Sequence, residues 1–137
     1  MPKNLWGNIP EAQSVRLPST ILQEQAEVIG ELTGGTIRGE LNSGTDTDGD
    51  IFCTFNMIVP SLNNYRYKLL LTYYRPPFVY PSTINDLANK ESYKVEDSNA
   101  FEGALQQILT SNNVRNVLSS LLAQARSTQP HVQAKKK

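Results

Sequence analysis

One acidic segment, Asp46-Thr47-Asp48-Gly49-Asp50, has the residue types that could bind a metal ion. A calcium loop needs oxygen ligands at alternate positions, a glycine at the sixth position and a bidentate glutamate at the twelfth. Counted from Asp46, the sixth residue is Ile51 rather than glycine; counted from Gly44, the twelfth residue is Phe55 rather than glutamate. Neither frame supplies the ligands. The segment therefore predicts a β-hairpin turn in which the Asp-Gly pair takes positive φ angles.

A cysteine nucleophile is the second chemistry to consider, because the chain has one cysteine, Cys53, and one histidine, His131. Cys53 alternates with Phe55 and Met57, which predicts a buried thiol with a raised pKa and poor access. His131 falls in a polar C-terminal segment that predicts disorder. One residue of each kind cannot build a tetrahedral zinc site. We expect no catalytic residue, no metal site and no cofactor.

The tyrosines form the third candidate, because five of the six lie between positions 65 and 80. Tyr65, Tyr67 and Tyr73 share one parity of a predicted strand, so we expect them on its apolar face. A second group surrounds the proline pair Pro76-Pro77 and comprises Tyr74, Arg75, Phe78 and Tyr80. Tyrosine and arginine are favoured at protein-binding surfaces, but tyrosine also packs half-buried sheets. For the second group, surface recognition and simple packing both stay open.

The elements that would position these residues follow from periodicity. A period near 3.6 predicts a helix over residues 19–33, capped by Ser19 or Thr20 and ended by Gly34-Gly35. A period of two predicts strands over 37–41, 51–59 and 65–75, with possible short strands at 78–80 and 93–95. Two further helices are predicted to begin near Asn99 and at Asn112-Asn113. The order predicts an α+β fold: an N-terminal helix, an antiparallel β-meander of three to five strands, and two C-terminal helices packed on one face of the sheet.

The same pattern divides the 137 residues into three parts. We expect an irregular N-terminal arm over 1–17, pinned by Trp6, because a large apolar ring is seldom left in water. Residues 18–126 are predicted to form a single α+β domain. Residues 127–137, which end in Lys135, Lys136 and Lys137, are predicted to be a disordered basic tail.

Charge and hydropathy exclude several classes of partner. Thirteen basic residues balance thirteen acidic ones, so no long-range field would attract nucleic acid. The last predicted helix offers only Arg115 and Arg126 for a DNA backbone. No apolar run approaches the roughly 20 residues of a membrane helix, and none near the N-terminus resembles a signal peptide. We therefore expect a cytoplasmic protein that binds neither nucleic acid nor membrane.

Three short motifs carry a resemblance to known proteins. Leu17-Pro18, Pro60-Ser61-Leu62-Asn63-Asn64 and Tyr80-Pro81 resemble a group of small bacterial proteins with no assigned function, over most of residues 17–126. The order of helix, meander, Tyr80-Pro81 and later helices is similar to that of the ubiquitin-conjugating and RWD folds, in which a Tyr-Pro pair follows the third strand. The proline expected soon after that pair is absent, since Ser82-Thr83-Ile84 stands there, and no cysteine follows. The resemblance implies a noncatalytic, protein-binding relative.

Three functional hypotheses follow from the sequence. The first is a noncatalytic protein–protein interaction or accessory module, whose partner is another protein and whose surface is the group around Pro76-Pro77. The second is an enzyme with an unrecognised site, for which Arg75, Tyr80 and Glu102 are possible members; it predicts a deep polar pocket. The third is a carrier that holds a small ligand or lipid between sheet and helices.

Overall fold

A computed structural model of the protein describes residues 2–127, so His131 and the predicted tail beyond Ser127 lie outside the described residues. The elements follow one another in the predicted order of helix, strands and helices, and the predicted α+β fold is confirmed. In chain order they are α1 (Pro18–Leu32), β1 (Arg38–Thr45), β2 (Ile51–Val59), a 3₁₀ turn (Pro60–Leu62), β3 (Tyr65–Tyr74), β4 (Ser82–Asp86), β5 (Glu91–Val95), α2 (Ser98–Leu109) and α3 (Asn112–Ser127).

The five strands form one antiparallel meander in the order β1-β2-β3-β4-β5. Short connections allow each strand to pair with the next along the chain, which is the simplest antiparallel topology. The helices cover one face: α1 packs on β1 and β2, α2 on β5, and α3 on α2 and the 3₁₀ turn. The core lies between them, and its largest fully buried side chains are Phe101, Ile21, Leu22, Ile37, Leu69 and Leu70.

The contact between α1 and β1 is unusually close at Gly39. A Cβ built on Gly39 would lie 2.5 Å from both the Cα and the Cβ of Ala26, and 3.2 Å from the ring of Phe55. Carbon atoms in optimal contact are about 3.5–4.0 Å apart. Only glycine at this position lets the helix backbone rest directly on the strand.

The helix N-termini differ from the predicted caps. Pro18 occupies the first helical position of α1, and the N-cap is Leu17, which makes no side-chain cap hydrogen bond. The predicted Ser19 or Thr20 cap is therefore wrong, because proline with its fixed φ already starts the helix one residue earlier. Helix α2 is capped by Asp97, which accepts a hydrogen bond from the Ala100 backbone N–H at 2.8 Å, rather than by Asn99.

A β-bulge in β3 changes the predicted placement of the tyrosines. Phe55 is paired with Leu70 and Asn56 with Lys68, so Leu69 is an extra residue on β3. Alternation changes phase there, and Leu69 and Leu70 are both buried. Tyr67 lies opposite Met57, whereas Tyr73 lies opposite Phe52. Since Met57 and Phe52 point to opposite faces of β2, the prediction that Tyr73 shares the face of Tyr67 is wrong.

Strand β4 lies where the sequence indicated only a polar segment, and the possible short strand at 78–80 is not formed. Two of the buried residues of β4 are polar, Ser82 and Asp86. The Ser82 hydroxyl donates to the Val79 carbonyl at 2.7 Å, and Asp86 accepts from the backbone N–H groups of Ala88 and Asn89 at 3.1 Å. These local hydrogen bonds remove the cost of burying polar groups, so the strand needs no apolar alternation.

Residues 2–17 contain no helix or strand. Trp6 is 84% exposed, so the expectation that this ring pins the arm to the domain is wrong. Arg16 makes the contacts between the arm and the helices instead. None of the helices in the part of the chain that the structure describes is long and apolar enough to cross a membrane.

Candidate functional site

The predicted interaction surface lies in the connection from β3 to β4. Arg75 and Phe78 are exposed there, and Tyr74 and Tyr80 are half-buried. Phe78 has the most exposed of the three aromatic rings, at 70%. The Pro76–Pro77 and Tyr80–Pro81 peptide bonds are cis. We call these four residues, Tyr74, Arg75, Phe78 and Tyr80, the proline corner.

One end of the proline corner is attached to the first hairpin turn. Arg75 Nε donates to Asp50 Oδ1 at 2.8 Å, and this contact is the main cause of a raised pKa of Arg75. The turn itself is closed by Asp46, whose Oδ1 accepts from the backbone N–H groups of Asp48 and Asp50, both at 2.9 Å. The hairpin turn is confirmed, but of the Asp-Gly pair only Gly49 has a positive φ, 89°, so the prediction of positive φ angles for both residues is wrong for Asp48.

The other end of the proline corner is attached to the N-terminal arm. The Tyr80 hydroxyl donates to the backbone carbonyl of Arg16 at 2.7 Å. Partial burial raises the pKa of Tyr80, and the nearby Arg16 charge opposes that effect. The loop that carries the exposed Phe78 ring is therefore held at both ends, by Asp50 at one end and by Arg16 at the other.

Arg16 also joins the two helices nearest the arm. Its Nη1 and Nη2 bind Glu24 of α1 at 2.9 and 3.0 Å, and Nη2 also binds Glu102 of α2 at 2.9 Å. The hydrogen bonds from Arg16 lower the pKa of Glu24. Of the three residues named for the enzyme hypothesis, Tyr80 and Glu102 therefore meet Arg16, whereas Arg75 contacts Asp50.

A cavity of about 570 Å³ lies between α1, α2 and α3, above the sheet. Its floor is formed by Phe55, Met57 and Leu69, and its walls by apolar residues of all three helices. The α1 wall includes Val28 and Leu32, which are 37% and 78% exposed. Glu102 lines this cavity, but Arg75 and Tyr80 are not among its lining residues.

Charged residues of both signs line the cavity. Arg16, Glu24 and Glu102 line one part of its wall, where two carboxylates share one guanidinium. Arg115 of α3 lines another part, beside Thr110 and Gln106. Arg115 is exposed, and among residues 2–127 the ion pairs do not include it. The cavity lining thus combines apolar side chains with polar ones, and it includes one arginine that has no ion-pair partner within residues 2–127.

The thiol of Cys53 is separate from both sites. It is 4% exposed and faces the covered side of the sheet, as predicted from its parity with Phe55. Burial raises the pKa of Cys53, although a long contact with the Ser43 hydroxyl, 3.8 Å, acts in the opposite direction. Within the described residues, no group of three or more His, Cys, Asp or Glu side chains could hold a metal ion.

The sequence predicted the residues of the proline corner, whereas for a ligand site between sheet and helices it named no lining residues. The signal was present in α1, where Ile21, Val28 and Leu32 form a second apolar stripe beside the one that packs on β1. A helix with one neighbouring layer needs only one stripe, so a second stripe indicates another apolar contact. The role of Arg115 could not be read in this way, because its position at the cavity depends on how α3 packs.

No protein-family model, curated protein or solved structure matches this chain in sequence or fold.

Proposed function

We propose that this protein is a noncatalytic protein–protein interaction module that binds its partner through the proline corner. The observation that supports the proposal is the Phe78 ring, 70% exposed on a loop whose two ends are held by hydrogen bonds. An exposed aromatic residue on a fixed loop loses little conformational entropy when it is buried by a partner. Such residues often supply a large share of the binding energy at protein interfaces.

Arg75 adds specificity to the proposed surface. Its side chain is 66% exposed although it is paired with Asp50, so part of the guanidinium is available for a further acceptor. A partner with an apolar pocket bordered by backbone carbonyls or a carboxylate would match Phe78 and Arg75 together. This role agrees with the noncatalytic relative of the ubiquitin-conjugating and RWD folds that the Tyr80-Pro81 resemblance implies.

A crosslinking pull-down from a cell extract tests the proposal, with Phe78→Ala compared with the unchanged protein. The matched control is Leu87→Ala, because Leu87 is an exposed apolar residue, 38%, in the neighbouring turn between β4 and β5. We expect a protein that is recovered with the unchanged chain and with Leu87→Ala but lost with Phe78→Ala. The same set of proteins from all three baits would contradict the assignment of this surface.

A carrier of small apolar ligands is the second candidate function, and the cavity favours it. A volume of about 570 Å³ falls in the range of about 300–1,000 Å³ that is usual for small-molecule sites. Native mass spectrometry of the protein purified without detergent tests this function directly. A copurifying apolar ligand is expected, and its loss in a variant with a filled cavity would assign it to the site.

A further inference from the structure

The shape of the cavity selects a ligand with a long apolar part. The accessible apolar surface of the cavity belongs to the helices, where Val28 and Leu32 of α1 are 37% and 78% exposed and Leu118 of α3 is half-buried. The floor residues Phe55, Met57 and Leu69 are already covered, each at most 3% exposed. A polar group loses its hydration against these apolar side chains, so the polar part of a ligand must face the polar lining residues, such as Gln25, Gln106 and Thr110. An acyl chain gains about 0.8 kcal/mol for each methylene that it buries, although this value applies only while the chain stays in contact with the walls.

The charged residues of the cavity lining select the other end of the ligand. Arg16 is already bound by Glu24 and Glu102, so this part of the wall has an excess of negative charge. Arg115 lies in the first turn of α3, where the helix dipole disfavours a cation. Arg115 therefore gains nothing from the helix dipole, and it supplies the cavity lining with a cation that has no acidic partner within residues 2–127.

We infer that the cavity binds a single-chain amphiphile with a monoanionic head, of the long-chain fatty acid class, with its carboxylate on Arg115 and its acyl chain along the partly exposed apolar side chains of α1 and α3. One cation matches one singly charged head, and a single cavity matches one chain. The inference deepens the carrier function proposed above and is independent of Phe78 and the proline corner.

Isothermal titration calorimetry with octanoate, decanoate and dodecanoate, each below its micelle concentration, tests the apolar part. Affinity is expected to rise about fourfold for each added methylene. Val28→Trp places an indole ring into the groove and is expected to abolish binding while the circular dichroism spectrum stays unchanged. Val28 is partly exposed, so the substitution does not have to fit into the closed core.

To test the contact of the head group with Arg115, the affinities of dodecanoate and of its methyl ester are measured for Arg115→Gln and for the unchanged protein. This variant is expected to bind dodecanoate about fivefold more weakly, as for the loss of one exposed ion pair, and to bind the ester unchanged. Arg126→Gln is the matched control, since Arg126 is an exposed arginine of the same helix outside the cavity lining. It is expected to bind both ligands like the unchanged protein.

The possible failures are distinguishable. If neither dodecanoate nor its ester binds to the folded protein, the carrier function itself is wrong. If both bind equally well and Arg115→Gln changes neither, the carrier function stands and the fatty acid assignment is overturned. If phosphatidylcholine vesicles bind as tightly to Val28→Trp as to the unchanged protein and free dodecanoate does not bind, the interaction is surface adsorption and the inference also fails.

Discussion

The close contact between α1 and β1 can be tested by adding one methyl group at Gly39. In Gly39→Ala the new Cβ would lie 2.5 Å from the Cα and Cβ of Ala26, about 1 Å inside normal contact. The Ala26 Cα belongs to the helix backbone, so no side-chain rotation relieves the contact. Helix α1 must move away from the sheet, and its buried residues Ile21 and Leu22 move with it.

The expected magnitude is a balance of two effects. Overpacking of this kind costs about 1–3 kcal/mol. Replacing glycine by alanine within a strand returns roughly 0.5–1 kcal/mol through the lower entropy of the unfolded chain. Taking the upper end of the first range, because the clash is with backbone, we expect the free energy of unfolding to fall by about 2 kcal/mol.

Urea denaturation followed by far-ultraviolet circular dichroism measures this change. Trp6 fluorescence is unsuitable, because its ring is 84% exposed in the folded protein and reports little of the core. Gly103→Ala in α2 is the matched control: a Cβ there meets nothing within 4 Å, so the helix should gain up to about 1 kcal/mol. If Gly39→Ala were as stable as the unchanged protein while Gly103→Ala showed its gain, the reasoning about the α1–β1 contact would be refuted.

Two further changes test buried and exposed polar groups. Within the described residues the buried Thr72 hydroxyl has no hydrogen-bond partner, so Thr72→Val should raise the free energy of unfolding by about 1 kcal/mol, as measured by urea denaturation. Thr54→Val is the control: it loses a 3.3 Å hydrogen bond to the Asn42 carbonyl and should give no gain. Hydrogen bonds from Arg66 lower the pKa of Glu40 below its ordinary value of 4.5, so the stabilisation is present above that pH and is lost as pH falls through the folded-state value. Glu40→Gln should therefore have a lower free energy of unfolding than the unchanged protein at neutral pH, and the two values should converge as the pH falls. If the difference in free energy of unfolding stayed constant down to acidic pH, this ion-pair assignment would be contradicted.

The sequence predicted the fold where hydrophobic alternation and burial coincide. Strand β2 has the predicted bounds because every second residue from Cys53 to Val59 is buried. Strand β4 could not be predicted in this way, since Ser82 and Asp86 occupy buried positions and are satisfied by hydrogen bonds to neighbouring residues. A hydrophobicity pattern cannot distinguish such a strand from a loop.

The errors in register and capping have a different origin. An extra residue such as Leu69 leaves no mark in the sequence, because both it and Leu70 are apolar, yet it reverses the face of every later residue in β3. At α2, both Asp97 and Asn99 are good caps, and only the backbone angles decide between them. The proline corner was predictable because it is local, whereas the cavity combines Val28 and Arg115, which lie far apart in the chain.

Arg16 connects the two proposed binding regions through a single residue. Its side chain forms part of the cavity wall, and its carbonyl accepts the hydroxyl of Tyr80 in the proline corner. Four rotatable bonds separate the Arg16 guanidinium from its carbonyl, so only an occupant that displaces the Arg16 backbone also changes the position of the loop that carries Phe78. Thermodynamic linkage then requires reciprocity: whatever factor a ligand applies to the affinity for the partner, the partner applies to the affinity for the ligand.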